Sequence, residues 1–218
     1  MHTRPLTSTM LMGSTAVAGS WIATLTWLDH WGATPEEQQR RLPGDLLVQH
    51  VRAQHTMAIT IDATPEEVWP WIVQMGVDRA GLYSYLFIEN TLMRLGVINA
   101  ERIHPEWQDL KVGDHIWFTP TGYEPRLGPV VARLDPHEAL VLRFGEVGQL
   151  ITGSWQFVLS PTADGGTRFL LRFRSSADVA FPYSLPDRIL MPGYLVMSRR
   201  MLLGIKDRAE RTARSADA

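Results

Sequence analysis

The segment "TRFLLRFR", from Thr167 to Arg174, is the feature that most constrains the fold. Side chains of a β-strand point alternately to opposite faces of the sheet. The apolar side chains on one face are Phe169, Leu171 and Phe173, and the basic side chains on the other are Arg168, Arg172 and Arg174. The pattern predicts an antiparallel sheet with one face covered by protein and one basic face in solvent.

Other segments have the alternation and the β-branched or aromatic composition of strands. They are His55–Ile61, Asp114–Phe118, Pro129–Leu134, Ala139–Phe144 and Gly153–Ser160. The short sequences "LDPHE" (Leu134–Glu138) and "ADGG" (Ala163–Gly166) are typical of tight turns between neighbouring strands. We therefore expect an antiparallel meander of about six strands.

The helices are predicted from capping signals and from apolar periodicity. The sequence "ATPEE" occurs at Ala33 and at Ala63, and each copy combines a Thr cap, a Pro at the first helical position and a Glu that can close a capping box. A further helix is predicted from about Ser84 to Leu95. A long helix is predicted from about Pro192 to Ala213, with an apolar stripe formed by Tyr194, Met197, Met201 and Ile205. Strands segregated from helices indicate the α+β class.

Composition excludes several classes of function. The chain of 218 residues contains no cysteine, so it has no disulfide, thiolate zinc site or cysteine nucleophile. The net charge is −2 and charged residues make up 20% of the chain. Nucleic acid is therefore not an expected partner, because no general basic field is present to attract it.

The amino-terminal segment has no charged residue between Leu6 and Leu28. It is long enough to cross a bilayer, but it is rich in Gly, Ser and Thr. A membrane anchor, a cleaved signal peptide and a loosely packed extension all remain open, and the protein is expected in the cytoplasm or at a membrane. The expected organisation is an apolar extension over residues 1–31, a capped helix and linker over 32–54, and a main domain over 55–218.

Several motifs together resemble the START-like superfamily, also called SRPBCC, which includes birch-pollen-allergen-like proteins and polyketide cyclases. The motifs are "WGATPEE", "LPGD", "ITIDATPEEVWPWIVQMG", "RAGLYSY", "RIHPEWQDLKVGD" and "RRMLLGIKDRAE". They are similar to an uncharacterised bacterial branch over roughly residues 31–210. That branch often has an acidic residue after "YSY", where this chain has Leu86.

The resemblance implies a helix-grip fold, in which a curved antiparallel sheet wraps around the C-terminal helix and encloses an apolar cavity. It implies binding of an apolar small molecule or a lipid, with enzymatic activity in only some members. Candidate ligand-binding residues are therefore Tyr83, Tyr85, Trp117, Leu142, Phe144, Trp155, Phe157, Phe169, Phe173, Met197 and Met201. No cofactor is implied, and the sequence does not determine the oligomeric state.

Two alternatives to simple ligand binding stay open. The first is a cyclase- or dehydratase-type enzyme that uses Tyr83 or Glu89 as acid or base in the same cavity. For Glu89 an exposed position is favoured over a buried acid, and Tyr85 is expected to pack in the core, whereas ligand binding and packing are equally expected for Tyr83. The second alternative is an interaction module whose cavity is filled by side chains. Whether the chain is an enzyme is left undecided, with a binding function favoured.

The segment "RIHPEWQDLKVGDHI", from Arg102 to Ile116, holds the densest group of titratable side chains. His104, Glu106 and Asp109 could in principle ligate a metal, but their spacing does not place two ligands on one helical face. Pro105 and Gly113 favour a connection leading into a strand. We therefore predict no metal site here.

Overall fold

A computed structural model describes residues 27–145, 150–179 and 185–216, except for the side chains of 185–190 and 216. The architecture is α+β, as predicted, with an antiparallel sheet and a long C-terminal helix packed against it. The elements in chain order are α1 (Pro35–Gln39), β1 (Val51–Ile61), α2 (Pro65–Val73), β2 (Val130–Asp135), β3 (Ala139–Phe144), β4 (Gly153–Pro161), β5 (Thr167–Ser176) and α3 (Leu185–Ala216).

The five strands form one curved antiparallel sheet in the order β1-β5-β4-β3-β2. Its inner face packs against α2 and α3 and holds the main apolar core, including Met57, Phe157 and Phe169. From the C-terminal helix, Met201, Leu202 and Ile205 close this core. The predicted apolar stripe of β5 thus lies against protein, because burial of that stripe is the main stabilising contribution to a layered fold.

The predicted strand Asp114–Phe118 is not part of the sheet proper, and that prediction is wrong. Only a single bridge, between His115 and Val130, joins this segment to β2. The backbone N–H of Ile116 still donates to Pro129 O at 3.0 Å, and that of Val131 donates to Asp114 O at 2.8 Å. The segment therefore lies as an irregular border along the edge of the sheet.

Both "ATPEE" copies begin helices with capping boxes, as predicted. The predicted helix Ser84–Leu95 is much shorter. It reduces to a single wide turn at Ile88–Leu92, preceded by helical residues 86 and 87. Arg94 has a positive φ angle of 56°, so the helical backbone does not continue to the predicted boundary at Leu95.

The prediction of a solvated basic face on the sheet is also wrong. Residues 32–47, which we call the N-terminal strap, lie across that outer face. The guanidinium of Arg172 is fully buried beneath the strap and pairs with Asp45 at 2.9 Å. It also donates to the backbone carbonyls of Glu37, Gln38 and Arg40. Alternation correctly separated the two faces, but it could not show that a second segment covers the basic one.

Apolar contacts complete the attachment of the strap. Leu42 packs with Ala58, Ala139, Val158 and Leu170 of the sheet in a second, smaller core. The outer face is therefore a mixed surface in which apolar side chains surround a buried ion pair.

Much of the uncharged segment 6–28 lies outside the described residues, which begin at Trp27. Among the helices that are described, none combines the length and the hydropathy needed to cross a bilayer.

Candidate functional site

Five aromatic side chains form a closed ring of contacts between the sheet and α3. Following the ring, the centroids of Phe118 and Phe144 are 6.1 Å apart, and those of Phe144 and Phe173 are 5.9 Å apart. Phe173 lies 5.0 Å from Tyr194, which lies 6.0 Å from Trp155. Trp155 returns to Phe118 at 5.6 Å. We call these five residues the aromatic cluster; strands, edge segment and helix all contribute to it.

Two polar atoms lie buried within this cluster. The indole N–H of Trp155 and the hydroxyl of Tyr194 are both inaccessible to solvent, and neither makes a hydrogen bond of normal geometry with any residue that the structure describes. Burial raises the pKa of Tyr194, although the neighbouring Ser198 and Trp155 side chains partly oppose that shift. The phenol therefore keeps its proton and can donate it. Buried donors without acceptors are unfavourable, so a ligand oxygen placed here would gain binding energy.

Most of the candidate ligand-binding residues come together in the core around this cluster. On the inner face of the sheet, Leu142, Phe157 and Phe169 are fully buried, and Phe144 and Phe173 are partly buried. Met201 lies opposite them on α3. Their shared face follows from strand and helix periodicity, which is why the sequence could predict them as a set.

Three candidates lie apart from this core. Trp117 stacks on His115 with centroids 4.2 Å apart and has the guanidinium of Arg126 4.2 Å from its ring centroid. Tyr85 is exposed rather than packed. Met197 is partly buried, and its carbonyl accepts a hydrogen bond from the Ser84 hydroxyl at 3.2 Å.

Sequence reasoning missed Phe118 and Tyr194 as site residues. Signals for both were present. Phe118 alternates with Trp117 and so shares the inward face with Ile116, which is fully buried. Tyr194 belongs to the apolar stripe of the terminal helix.

Tyr83 lies apart from the aromatic cluster, and its ring and hydroxyl both contact other side chains of the protein. Its ring packs edge-on against Trp71 and lies 5.0 Å from the guanidinium of Arg208. The hydroxyl accepts a hydrogen bond from Gln74 Nε2 at 2.8 Å, and burial raises its pKa. Gly204 of α3 approaches the Tyr83 backbone so closely that a Cβ atom would collide with it. This environment favours a packing role for Tyr83.

Glu89 is the second acid/base candidate, and the expectation that it is exposed is wrong. Its exposed fraction is 0%, and both carboxyl oxygens are buried without a donor among the described residues. Burial raises its pKa. The same short helix instead exposes apolar side chains, among them Phe87 and Leu92, each 70% exposed. The turn thus places its carboxyl group inward and its apolar side chains outward, opposite to the usual amphipathic arrangement.

The side chains of the 102–116 segment engage local partners. The carboxylate of Glu106 lies 3.0 Å from His104 Nδ1, while Asp109 pairs with Lys111 at 2.7 Å. Over the described ranges, no group of three or more His, Cys, Asp and Glu side chains is arranged to hold a metal ion. The segment does, however, border a pocket with Arg79.

No protein-family model matches this chain, and no curated protein matches it. Solved structures are similar at low identity. Protein MLL2253 from Mesorhizobium loti is 13% identical over 73% of this chain and 98% of its own, with a TM-score of 0.41. The Aha1 dimer protein from Colwellia psychrerythraea is 16% identical over 72% and 96%, with a TM-score of 0.41.

A third similar structure is DynU16, a protein from the dynemicin biosynthetic locus. It is 14% identical over 68% of this chain and 45% of its own length, with a TM-score of 0.41. At these values the similarities assign neither a family nor a function to this chain.

Proposed function

We propose that the protein binds a hydrophobic small molecule between the inner face of the sheet and α3. The observation that carries this proposal is the aromatic cluster with two buried donors, Trp155 Nε1 and Tyr194 Oη, for which the described part of the chain supplies no hydrogen-bond partner. Apolar walls with a few convergent polar groups are the usual composition of a small-molecule site. A planar ligand with a carbonyl or hydroxyl oxygen suits both the rings and the donors.

Binding can be tested with probes that differ in shape. Thermal shift and native mass spectrometry would compare a hydroxyanthraquinone, a sterol and a long-chain fatty acid. We expect the hydroxyanthraquinone to bind, because its rings can stack and its oxygens can accept from Trp155 and Tyr194. Preference for the fatty acid would indicate a lipid-binding site instead, and binding of none of the three would support the filled-cavity interaction module.

The Tyr194→Phe substitution tests the donor directly. It removes one hydroxyl and keeps the ring, so we expect affinity for the hydroxyanthraquinone to fall by up to about tenfold. The matched control is Tyr123→Phe, since Tyr123 is exposed and its hydroxyl donates to Arg94 O at 3.2 Å, away from the aromatic cluster. Equal affinities for both variants and the original chain would show that the Tyr194 hydroxyl does not contact the ligand.

The burial of Glu89 favours a second candidate, an enzyme of the dehydratase or cyclase type. A carboxyl group whose pKa is raised by burial is suited to general acid catalysis. Dehydration of a β-hydroxy ketone probe would be the assay, with Glu89→Gln expected to abolish turnover and Tyr85→Phe to retain it. Turnover that survives in Glu89→Gln would exclude this role. Binding of the probe by the original chain without any turnover would support the binding function and exclude the enzyme.

A further inference from the structure

A pocket that shares no residue with the aromatic cluster lies beside the edge of the sheet. It has a volume of about 290 Å³ and forms where the turn after α2 meets the 104–115 connection. The lining residues are Arg79, Glu106, Trp107, Asp109, Leu110, Asp114 and His115. The pocket is close to the lower end of the volumes typical of small-molecule sites, which limits its ligand to a small metabolite.

Arg79 provides the positive charge of this pocket. Its Nη2 atom is anchored by donating to Val73 O at 2.9 Å and to Trp107 O. The Nε and Nη1 atoms have no acceptor, and no carboxylate lies within ion-pair distance, among the residues that the structure describes. Burial lowers the pKa of Arg79, and the nearby charge of Asp114 partly opposes this shift. A partly desolvated guanidinium with unused N–H groups is a favourable partner for an anionic group.

Among the described residues, no carboxylate of the pocket forms an ion pair with Arg79, and each bonds to another group. Glu106 bonds to His104 Nδ1, and Asp109 pairs with Lys111 Nζ. Asp114 accepts from the backbone N–H of Lys111 at 2.8 Å. The pKa of Glu106 lies below its ordinary value, because its own backbone N–H and His104 stabilise the carboxylate. The pocket thus contains separated charges of both signs.

We propose that this pocket binds a small zwitterion of the α-amino-acid class. The ligand carboxylate would accept hydrogen bonds from the free N–H groups of Arg79, and its ammonium group would lie near Glu106 and Asp109. A simple anion would be repelled by the surrounding carboxylates, and a simple cation would leave Arg79 unpaired. The indole of Trp107 and the side chain of Leu110 offer apolar surface for a ligand side chain.

An NMR titration of the full chain with small probes distinguishes these possibilities. The probes are L-leucine and L-tryptophan, with acetate, ethylammonium and MgCl₂ as charge controls, each up to roughly 10 mM. We expect backbone amide shifts at Arg79 and over Glu106–His115 with the amino acids, and clearly weaker shifts with acetate or ethylammonium. Shifts of equal size from acetate, shifts from Mg²⁺, or no shift with either amino acid would each overturn the proposal.

Two variants test the roles of the charges. The double substitution Glu106→Gln and Asp109→Asn affects exposed side chains, and we expect it to weaken amino-acid binding about tenfold or more. The matched control is Asp135→Asn with Glu138→Gln, which lies in the β2–β3 turn and should leave affinity unchanged. Arg79→Lys should also weaken binding; if that variant fails to fold, the carboxylate double variant decides the result. Unchanged affinity in the double variant would refute the assignment.

Discussion

The carboxyl group of Glu89 is buried, no described residue donates a hydrogen bond to it, and this environment favours its uncharged form. Burial raises its pKa in the folded state, whereas an unfolded glutamate titrates at about 4.3. Below the unfolded pKa the carboxyl is protonated in both the folded and the unfolded state, so its ionisation does not lower the free energy of unfolding. As the pH rises from there, the unfolded state loses its proton first. The free energy of unfolding therefore decreases until the pH passes the folded pKa.

Glu89→Gln is expected to remove this loss of stability, because an amide cannot ionise. Urea unfolding between pH 4.5 and 7.5 measures the difference. The free energy of unfolding should fall with rising pH more steeply in the original chain than in the variant. The two slopes should differ by up to about 1.4 kcal/mol per pH unit. Glu138→Gln, at an exposed position, is the control and should keep the original slope. Identical slopes for the Glu89→Gln variant and the original chain would show that Glu89 ionises normally.

At the scale of elements, the arginines of β5 attach the strap to the sheet. Arg168 pairs with Glu37 at 2.8 Å, and Arg172 and Arg174 converge on Asp45 at 2.9 and 3.2 Å. Asp45 also accepts from Gln156 Nε2 and from the N–H of Leu42, both at 2.9 Å. Each buried charge therefore has partners, and removing one would leave the others uncompensated.

Asp45→Asn is expected to destabilise the protein by about 3–5 kcal/mol, since it leaves the buried Arg172 guanidinium without a counter-charge. Asp135→Asn makes the same chemical change at the exposed pair with Arg133 and should cost about 0–1 kcal/mol. Chemical denaturation of the two variants measures the difference. A similar loss in both would mean that the charge of Asp45 does not anchor the strap.

How far each element could be predicted depends on whether its signal is local. The capping boxes at Thr34 and Thr64 need only residues within one turn, so the sequence predicted both helix starts. The alternation of β5 likewise predicted which of its side chains face the core. The burial of Arg172 could not be predicted in this way, because it depends on the N-terminal strap and on Asp45, which lie far from Arg172 in the chain. Glu89 and the Asp114–Phe118 segment were predicted wrongly for the same reason: tertiary packing outweighs local propensity.

At the scale of the whole molecule, the sheet is covered on both faces, by α2 and α3 on one side and by the strap on the other. The candidate sites follow from that arrangement. The aromatic cluster lies beneath α3, where the sequence predicted a ligand. The Arg79 pocket lies at the sheet edge, where titratable residues suggested chemistry but their spacing argued against a metal. The resemblance to helix-grip proteins predicted a ligand at the first of these candidate sites, without Phe118 and Tyr194, and gave no information about the second.

Because the strap shares a core and a buried ion pair with the sheet, we expect it to unfold together with the sheet. The amide of Leu42 donates to Asp45, and that of Gly44 donates to Gln156 Oε1 at 2.9 Å, both in buried positions. Native-state hydrogen exchange should therefore give these two amides the same opening free energy as Leu170 in β5. The Lys111 amide, bonded to Asp114 in an exposed turn, is the control and should exchange through local opening. Lower opening free energies at Leu42 and Gly44, insensitive to added denaturant, would show instead that the strap detaches while the sheet remains folded.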